Sequence, residues 1–246
     1  MGFYRGPHIV TDGLVLSLDA GNTKSYQSGS TTWFDKSGNG NNGILTNVGF
    51  DSTKQCLLFS SSSQSRCVIG NSTPVTNFNN GSFSIETVFR ITLPAVGTVN
   101  SLFNKRLAIT GIGGFKGYTY RVLANTANNA GTIISVDNGT GSNNGDYTVL
   151  GGLSTTLPYY GIIDLVLVFN ASTLKLSEYR NGVLHSNTNS GAMTGSSYSN
   201  NSDLTLGKGE GNSLDAEYYS FKAYNRVLSA QEILQNFDAT KSRYGL

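Results

Sequence analysis

Residues 83–91, FSIETVFRI, put Phe83, Ile85, Thr87, Phe89 and Ile91 on one side of an extended chain and Ser84, Glu86 and Arg90 on the other. A period of two is the mark of a half-buried β-strand, so one face is expected to be packed and the other wet. Residues 162–169, IIDLVLVF, are apolar on both faces apart from Asp164, as a central strand covered on each side requires. Asn181-Gly182 accommodates two successive positive φ values and predicts a type I′ hairpin between a strand ending at Arg180 and one beginning at Val183. Further strand-sized segments fall at 14–18, 56–60, 66–70, 115–124, 131–137, 146–150, 203–207 and 217–224. No helix-length amphipathic stretch separates them, which excludes a parallel βαβ sheet.

One helix is predicted, at the end of the chain. Ser229 and Glu232 form a capping box, and Ile233, Leu234 and Phe237 form an apolar stripe that can dock on a sheet. The Ser- and Asn-rich stretch 186–202 reads as a loop, because strands on both sides of it are needed to close the sheets. The organisation expected is a short N-terminal arm over residues 1–12, followed by a single domain over 13–246.

Charged residues make up only 13% of the chain and hydrophobic residues 38%, a balance of short strands and tight turns. The 17 basic residues are scattered, with no cluster longer than Lys105-Arg106, and the net charge is +2. That is no footprint for nucleic acid. The longest apolar run, Ile162 to Phe169, is strand-sized, so no membrane insertion is expected. Met1 to Val10 lacks the apolar core of a signal peptide, which points to synthesis in a cytoplasm.

Cys56 and Cys67 are the only cysteines, and CLLFSSSSQSRC reads as a hairpin centred midway between them. Opposite placement would permit a cross-strand contact. Without a signal peptide, the reduced pair is favoured.

Four segments in order carry a resemblance: GLVLSLDAGN at 13–22, TTWFDKSGNGNNGIL at 31–45, SFSIETVFRI at 82–91 and KAYNRVLSAQEILQNF at 222–237. Together they resemble the laminin-G-like jelly-roll domain of the concanavalin superfamily. The resemblance implies an all-β, two-sheet antiparallel β-sandwich with one short C-terminal helix. Two positions depart from the family's pattern: Val88 stands near a usual Trp, and Tyr219 near a usual Asp.

The opening MGFYRGPHIVTDGLVLSLDAGNTKSY and the ending NFDATKSRYGL look like the free-standing versions of this domain encoded by tailed phages. That likeness implies a non-enzymatic virion surface protein, made in the host cytoplasm. Its arm would attach it to other virion proteins, and its sandwich would bind host-surface glycans or polymers. Edge strands would make a homo-oligomer one way of covering the sheets. The alternative is a purely structural capsid decoration or tail or fibre component with no sugar binding.

Candidate chemistry is sparse. Asp35 to Gly43 offers a carboxylate, amide oxygens and carbonyls suited to Ca²⁺, and the family often holds calcium, so Asp35 and Asn39 are candidate ligands. An Asx-rich turn bonding to itself is the competing reading. Asp215 and Glu217 lie on one side of a strand as an acid–base pair would, but solvated strand-end carboxylates are the simpler reading, and no Glu-x-Asp-x-x-Glu glucanase pattern occurs. His8 and His185 are the only histidines, and no Gly-x-Ser-x-Gly elbow accompanies them. GIGGFKG at 111–117 lacks the context of a phosphate loop. Of the 13 tyrosines, Tyr118, Tyr120, Tyr159 and Tyr160 are the candidate ligand surface, because an amphipathic ring can stack on a sugar. Half-buried sheet tyrosines are the competing reading.

Overall fold

A computed structural model describes residues 7–70, 76, 78–92, 98–109, 114–126, 129–138, 161–189, 198–209 and 212–246. The first half contains β1 (Leu14–Asp19), β2 (Thr32–Trp33), β3 (Gly43–Thr46), β4 (Gly49–Asp51), β5 (Cys56–Phe59), β6 (Arg66–Ile69), β7 (Phe83–Ile91), β8 (Val99–Asn104) and β9 (Leu107–Ile109). There follow β10 (Gly114–Thr126), β11 (Asn129–Asn138), β12 (Ile163–Asn170), β13 (Lys175–Arg180), β14 (Val183–Asn189), β15 (Leu204–Leu206), β16 (Ala216–Tyr224) and the helix α1 (Ala230–Tyr244). The strand expected at 146–150 lies outside the described residues.

The strands form two sheets, every named pairing antiparallel. The first runs β14-β13-β12-β7-β16-β5-β4, with β1 also pairing β16. β5 lies against Ala216–Tyr218 and β1 against Ser220–Tyr224, so the two share one side of β16 end to end. The second sheet runs β11-β10-β8-β15-β6-β3-β2, with β9 beside β10. This is the expected two-sheet sandwich with a C-terminal helix.

Alternation builds the core between the sheets. β12 sends Ile163, Leu165, Leu167 and Phe169 inward, and β7 meets it in register with Phe83, Ile85, Thr87 and Phe89. Phe83 stacks on Phe78 at 4.7 Å and lies 5.0 Å from the Tyr118 ring and 5.5 Å from those of Phe169 and Tyr198. The buried phenols keep hydrogen bonds: Tyr118 donates to the Thr76 carbonyl (2.9 Å), Tyr198 to that of Gly81 (2.5 Å) and Tyr218 to that of Leu102 (2.5 Å).

The outer face of the first sheet is covered, which corrects the expected wet face of β7. Ser84, Glu86 and Val88 are fully buried. Above them α1 buries Ile233 and Asn236, and Val166, Val168, Tyr224 and Leu228 complete a second apolar cluster. Burying a side chain such as Ile233 contributes about 1.5–3 kcal/mol. Within this layer Lys222 Nζ lies 2.5 Å from Glu86 Oε1, and Asn236 Nδ2 donates to Glu86 Oε2 (2.6 Å) and to the Tyr224 hydroxyl (3.0 Å). Local sequence could not show this, because the partners of Glu86 lie 136 and 150 residues along the chain.

Residues 8–12 of the arm are docked on the same layer. Val10 is buried, its N–H donates to Asn236 Oδ1 (2.7 Å), and its carbonyl accepts from the Tyr224 hydroxyl (3.2 Å). Gln235 Nε2 holds the His8 carbonyl at 2.7 Å. The helix begins as expected, with both halves of the Ser229–Glu232 capping box formed. Its stripe is rotated: Leu234 is 45% exposed, and with Phe237 it lies over Gly182 at the hairpin tip. That hairpin has the two positive φ values of a type I′ turn, 49° at Asn181 and 77° at Gly182.

The hairpin expected around CLLFSSSSQSRC does not form. β5 belongs to the first sheet and β6 to the second, so residues 60–65 arch between the two layers. Cys56 and Cys67 are both free and buried. An arch and a hairpin share the same strand–turn–strand pattern, and only the register of the other strands separates them.

Candidate functional site on the outer face of the second sheet

On β6, Cys67 and Ile69 point into the core and are fully buried, which turns Arg66 and Val68 outward. On β15 the inward pair is Leu204 and Leu206, which turns Thr205 outward. Pairing then aligns one outer rung across the sheet, Thr119 opposite Asn104, Asn104 opposite Thr205, Thr205 opposite Val68 and Val68 opposite Ile44. An open groove of about 480 Å³ lies over this rung, lined by Arg66, Asn104, Arg106, Asn201, Ser202, Asp203, Thr205, Lys208 and Gly209.

The walls are pinned. Lys105 is buried, and its Nζ bonds to the Ser202 carbonyl and to Asn200 at 3.4 Å. Asn200 Nδ2 donates in return to the carbonyls of Lys105 (2.8 Å) and Lys116 (2.6 Å), fastening the segment before β15 to the entry of β10. Burial pulls the Lys105 amine down to about 8, against the pull of Asp203. Arg106 forms a buried ion pair with Asp137, Nε to Oδ2 at 2.6 Å, and its guanidinium lies 3.8 Å from the Phe115 ring centre. Burial raises the Asp137 carboxyl to about 6, although Arg106 works to lower it. At the rim, a Cβ on Gly209 would collide with the Ser101 hydroxyl and press on Asn104, so only glycine brings the backbone this close to the sheet.

The groove's open groups are of a different kind. The Arg66 guanidinium makes no hydrogen bond or ion pair among the described residues, and there Lys208 Nζ meets only the neutral Gln64 side chain, at 2.9 Å. The Asn104 side chain, on the floor and 8% exposed, likewise has no hydrogen-bond partner among the described residues. Two partly exposed cations and a nearly buried amide therefore line the groove on two strands and a pinned loop. Thr205 Oγ1 is tied to the carbonyls of Lys208 (2.7 Å) and Asn104 (3.2 Å), which fixes the groove's width.

The residues singled out from sequence fall elsewhere. Tyr118 and Tyr120 are fully buried, which corrects their assignment to a ligand surface, since a ring enclosed by the core cannot stack on a sugar. Their inward side of β10 was not readable without knowing which face the core takes. Tyr159 and Tyr160 lie outside the described residues. Asp35 Oδ1 accepts from the N–H groups of Ser17 (2.9 Å) and Ser37 (2.8 Å), and Oδ2 from the Ser37 hydroxyl (2.8 Å) and the Asn41 N–H (3.0 Å). Asn39 donates to the Val15 carbonyl (3.2 Å) and the Ser37 hydroxyl (2.9 Å). This is the geometry of a self-bonded Asx-rich turn, and a cation using Asp35 would have to displace its protein donors. Among the described residues no three His, Cys, Asp or Glu side chains cluster as a metal site. Asp215 accepts from the Ser61 N–H (2.6 Å) and hydroxyl (2.9 Å), while Glu217 pairs with Lys54 (2.7 Å) and Arg90 (3.7 Å), so both carboxylates are structural ties.

Sequence reasoning passed over Arg66, Asn104, Thr205 and Lys208. The usable signal was the alternation of 66–70, which sets Arg66 opposite to Cys67, together with the placement of Asn104 directly before Lys105-Arg106.

No family model matches the sequence, and no curated protein sequence matches it. Solved structures do match in fold. The binding domain of Paraclostridial Mosquitocidal Protein 1 superposes with a TM-score of 0.69 at 17% identity, covering 92% of this chain and 52% of that one. A mutant of Trypanosoma rangeli sialidase displaying trans-sialidase activity gives 0.66 at 15% identity, covering 98% of this chain and 35% of that one. The binding domain of botulinum neurotoxin DC, in complex with SialylT, gives 0.58 at 16% identity, covering 93% and 52%. The chain thus spans about half or less of these proteins, and at such identities the likeness is one of fold.

Proposed function

We propose that this chain is a non-catalytic glycan-binding β-sandwich module whose ligand seat is the groove over Asn104 and Thr205. The observation that carries this reading is the set of open hydrogen-bonding groups there: Arg66, Lys208 and the Asn104 amide line the groove with no carboxylate partner of their own among the described residues. Saccharides are bound by such groups on preformed surfaces, where unpaired donors and acceptors replace water one for one. Support comes from the structures of like fold, two of which are named as binding domains. The reading is non-catalytic because glycoside hydrolysis takes two carboxylates flanking the scissile bond, and among the described residues Asp203 is the one carboxylate lining the groove.

The setting we propose, from the resemblance of the opening and ending segments to phage-encoded versions of the domain, is the surface of a virus particle that meets host-surface glycans. A second reading, a structural particle component without sugar binding, draws on the apolar margin formed by Val183 (68% exposed), Leu184 and Leu234. A glycan array probed with the wild-type chain and with Asn104→Ala separates them. The glycan reading expects defined signals that weaken in the variant. An array without signal favours the structural reading.

A further inference from the structure

Resting on that reading, we infer that the groove selects anionic saccharides, those carrying a carboxylate or sulfate on the ring, over neutral ones. Among the described residues three cations line it, Arg66, Arg106 and Lys208, against the single carboxylate of Asp203. Arg106 is already neutralised by Asp137 at 2.6 Å, and the Asp203 charge acts on the buried Lys105 amine. Among the described residues Arg66 and Lys208 are left without a carboxylate partner, and Lys208 meets the neutral Gln64 amide. A guanidinium presents a planar fork that matches an anionic oxygen pair, and a nearby ammonium adds a point charge without demanding an angle.

The means of holding a neutral sugar are scarcer. Neutral pyranoses are commonly gripped by an aromatic ring against their apolar face, and among the described residues no aromatic side chain lines this groove. The ring of Phe115, beside the lining residue Arg106, is already capped by its guanidinium at 3.8 Å. What remains is charge-assisted hydrogen bonding from Arg66 and Lys208, with the Asn104 amide able both to donate to and accept from a ring hydroxyl. Two open cations over one groove suit a sugar acid. They fall short of the longer basic track on which polynucleotide binding depends.

The test is calorimetric titration of the full chain with matched pairs: oligogalacturonate against its methyl ester, and dextran sulfate against dextran. Oligothymidylate serves as a non-saccharide polyanion. The inference expects a charged member to bind about tenfold or more tighter than its neutral partner at low salt, with the gap shrinking towards about 0.15 M salt. The double variant Arg66→Gln, Lys208→Gln should erase the gap, and Arg66→Lys should keep part of it. Unchanged circular dichroism would show that these partly exposed changes leave the fold intact. Equal binding of charged and neutral partners, a gap that survives in the double variant, or equal affinity for oligothymidylate would each overturn the inference. Groove-dependent binding of the neutral members alone would sink the inference and leave glycan binding standing, whereas no binding by any saccharide would count against both.

Discussion

Asp164 should be the chain's main pH-sensitive liability, and Asp164→Asn should relieve it. The residue sits on the outer face of β12, is 2% exposed, and has no hydrogen-bond partner for Oδ1 among the described residues. Burial first, then the neighbouring Glu86 carboxylate, push its carboxyl up to about 8 from 3.8, while Lys222 opposes them. The folded state therefore keeps a proton that the unfolded chain releases above pH 3.8. Stability must fall as pH rises between those two values. At about 1.36 kcal/mol per pH unit, this cost reaches at most about 4 kcal/mol at pH 7. An asparagine removes the titration but adds an amide that lacks a partner, returning about 1–3 kcal/mol. The expected net gain from Asp164→Asn is about 1–3 kcal/mol at pH 7, turning into a loss of about 1–3 kcal/mol below about pH 4, where both states of the wild type are protonated and only the amide's cost remains. Urea unfolding at a series of pH values measures it: the wild type should slope downwards between pH 4 and 8, and the variant should slope less and flatten above about pH 6, where the raised Asp137 carboxyl no longer contributes. Parallel profiles for the two proteins would refute the reasoning, because the shared slope would then belong to other groups.

Three further outcomes follow from the packing. Cys56 and Cys67 sit in opposite sheets, and burial raises both thiols, Cys56 to about 12; neither should react with iodoacetamide until the chain unfolds, and rapid native labelling would contradict their burial. Ser229→Ala removes the side chain that accepts from the Glu232 N–H at 3.2 Å and should cost about 1 kcal/mol by chemical denaturation, with no loss if the cap were idle. Gly182→Ala would carry a Cβ at φ 77° into Leu234 and Phe237 at 3.1 Å, so a loss of about 1–3 kcal/mol is expected, and an unchanged midpoint would mean that the hairpin tip does not rest on α1.

Much of the sandwich was legible because strand alternation is a local signal. FSIETVFRI and IIDLVLVF became β7 and β12, Asn181-Gly182 became the type I′ turn, and Ser229–Glu232 began the helix. What alternation cannot say is which face meets the core and which layer a strand joins. That is why Tyr118 and Tyr120 were assigned outward when their side of β10 faces inward, and why the β5–β6 arch looked like a hairpin. Glu86 looked wet because its cover comes from a helix far along the chain. The groove was hidden for the same reason: Arg66, Asn104 and Thr205 lie on three strands that only sheet order brings together, Thr205 pairing Asn104 directly and Arg66 lying one strand further on β6.

The account stands or falls on where a saccharide sits. Backbone amide shifts of the labelled chain, followed while a glycan identified on the array is added, report this directly. The account expects the perturbed amides to cluster at 66–68, 104–106 and 202–209 around the groove. Perturbations gathered instead at the separate hollow beside Tyr26 and Phe50, or spread without a centre, would contradict it.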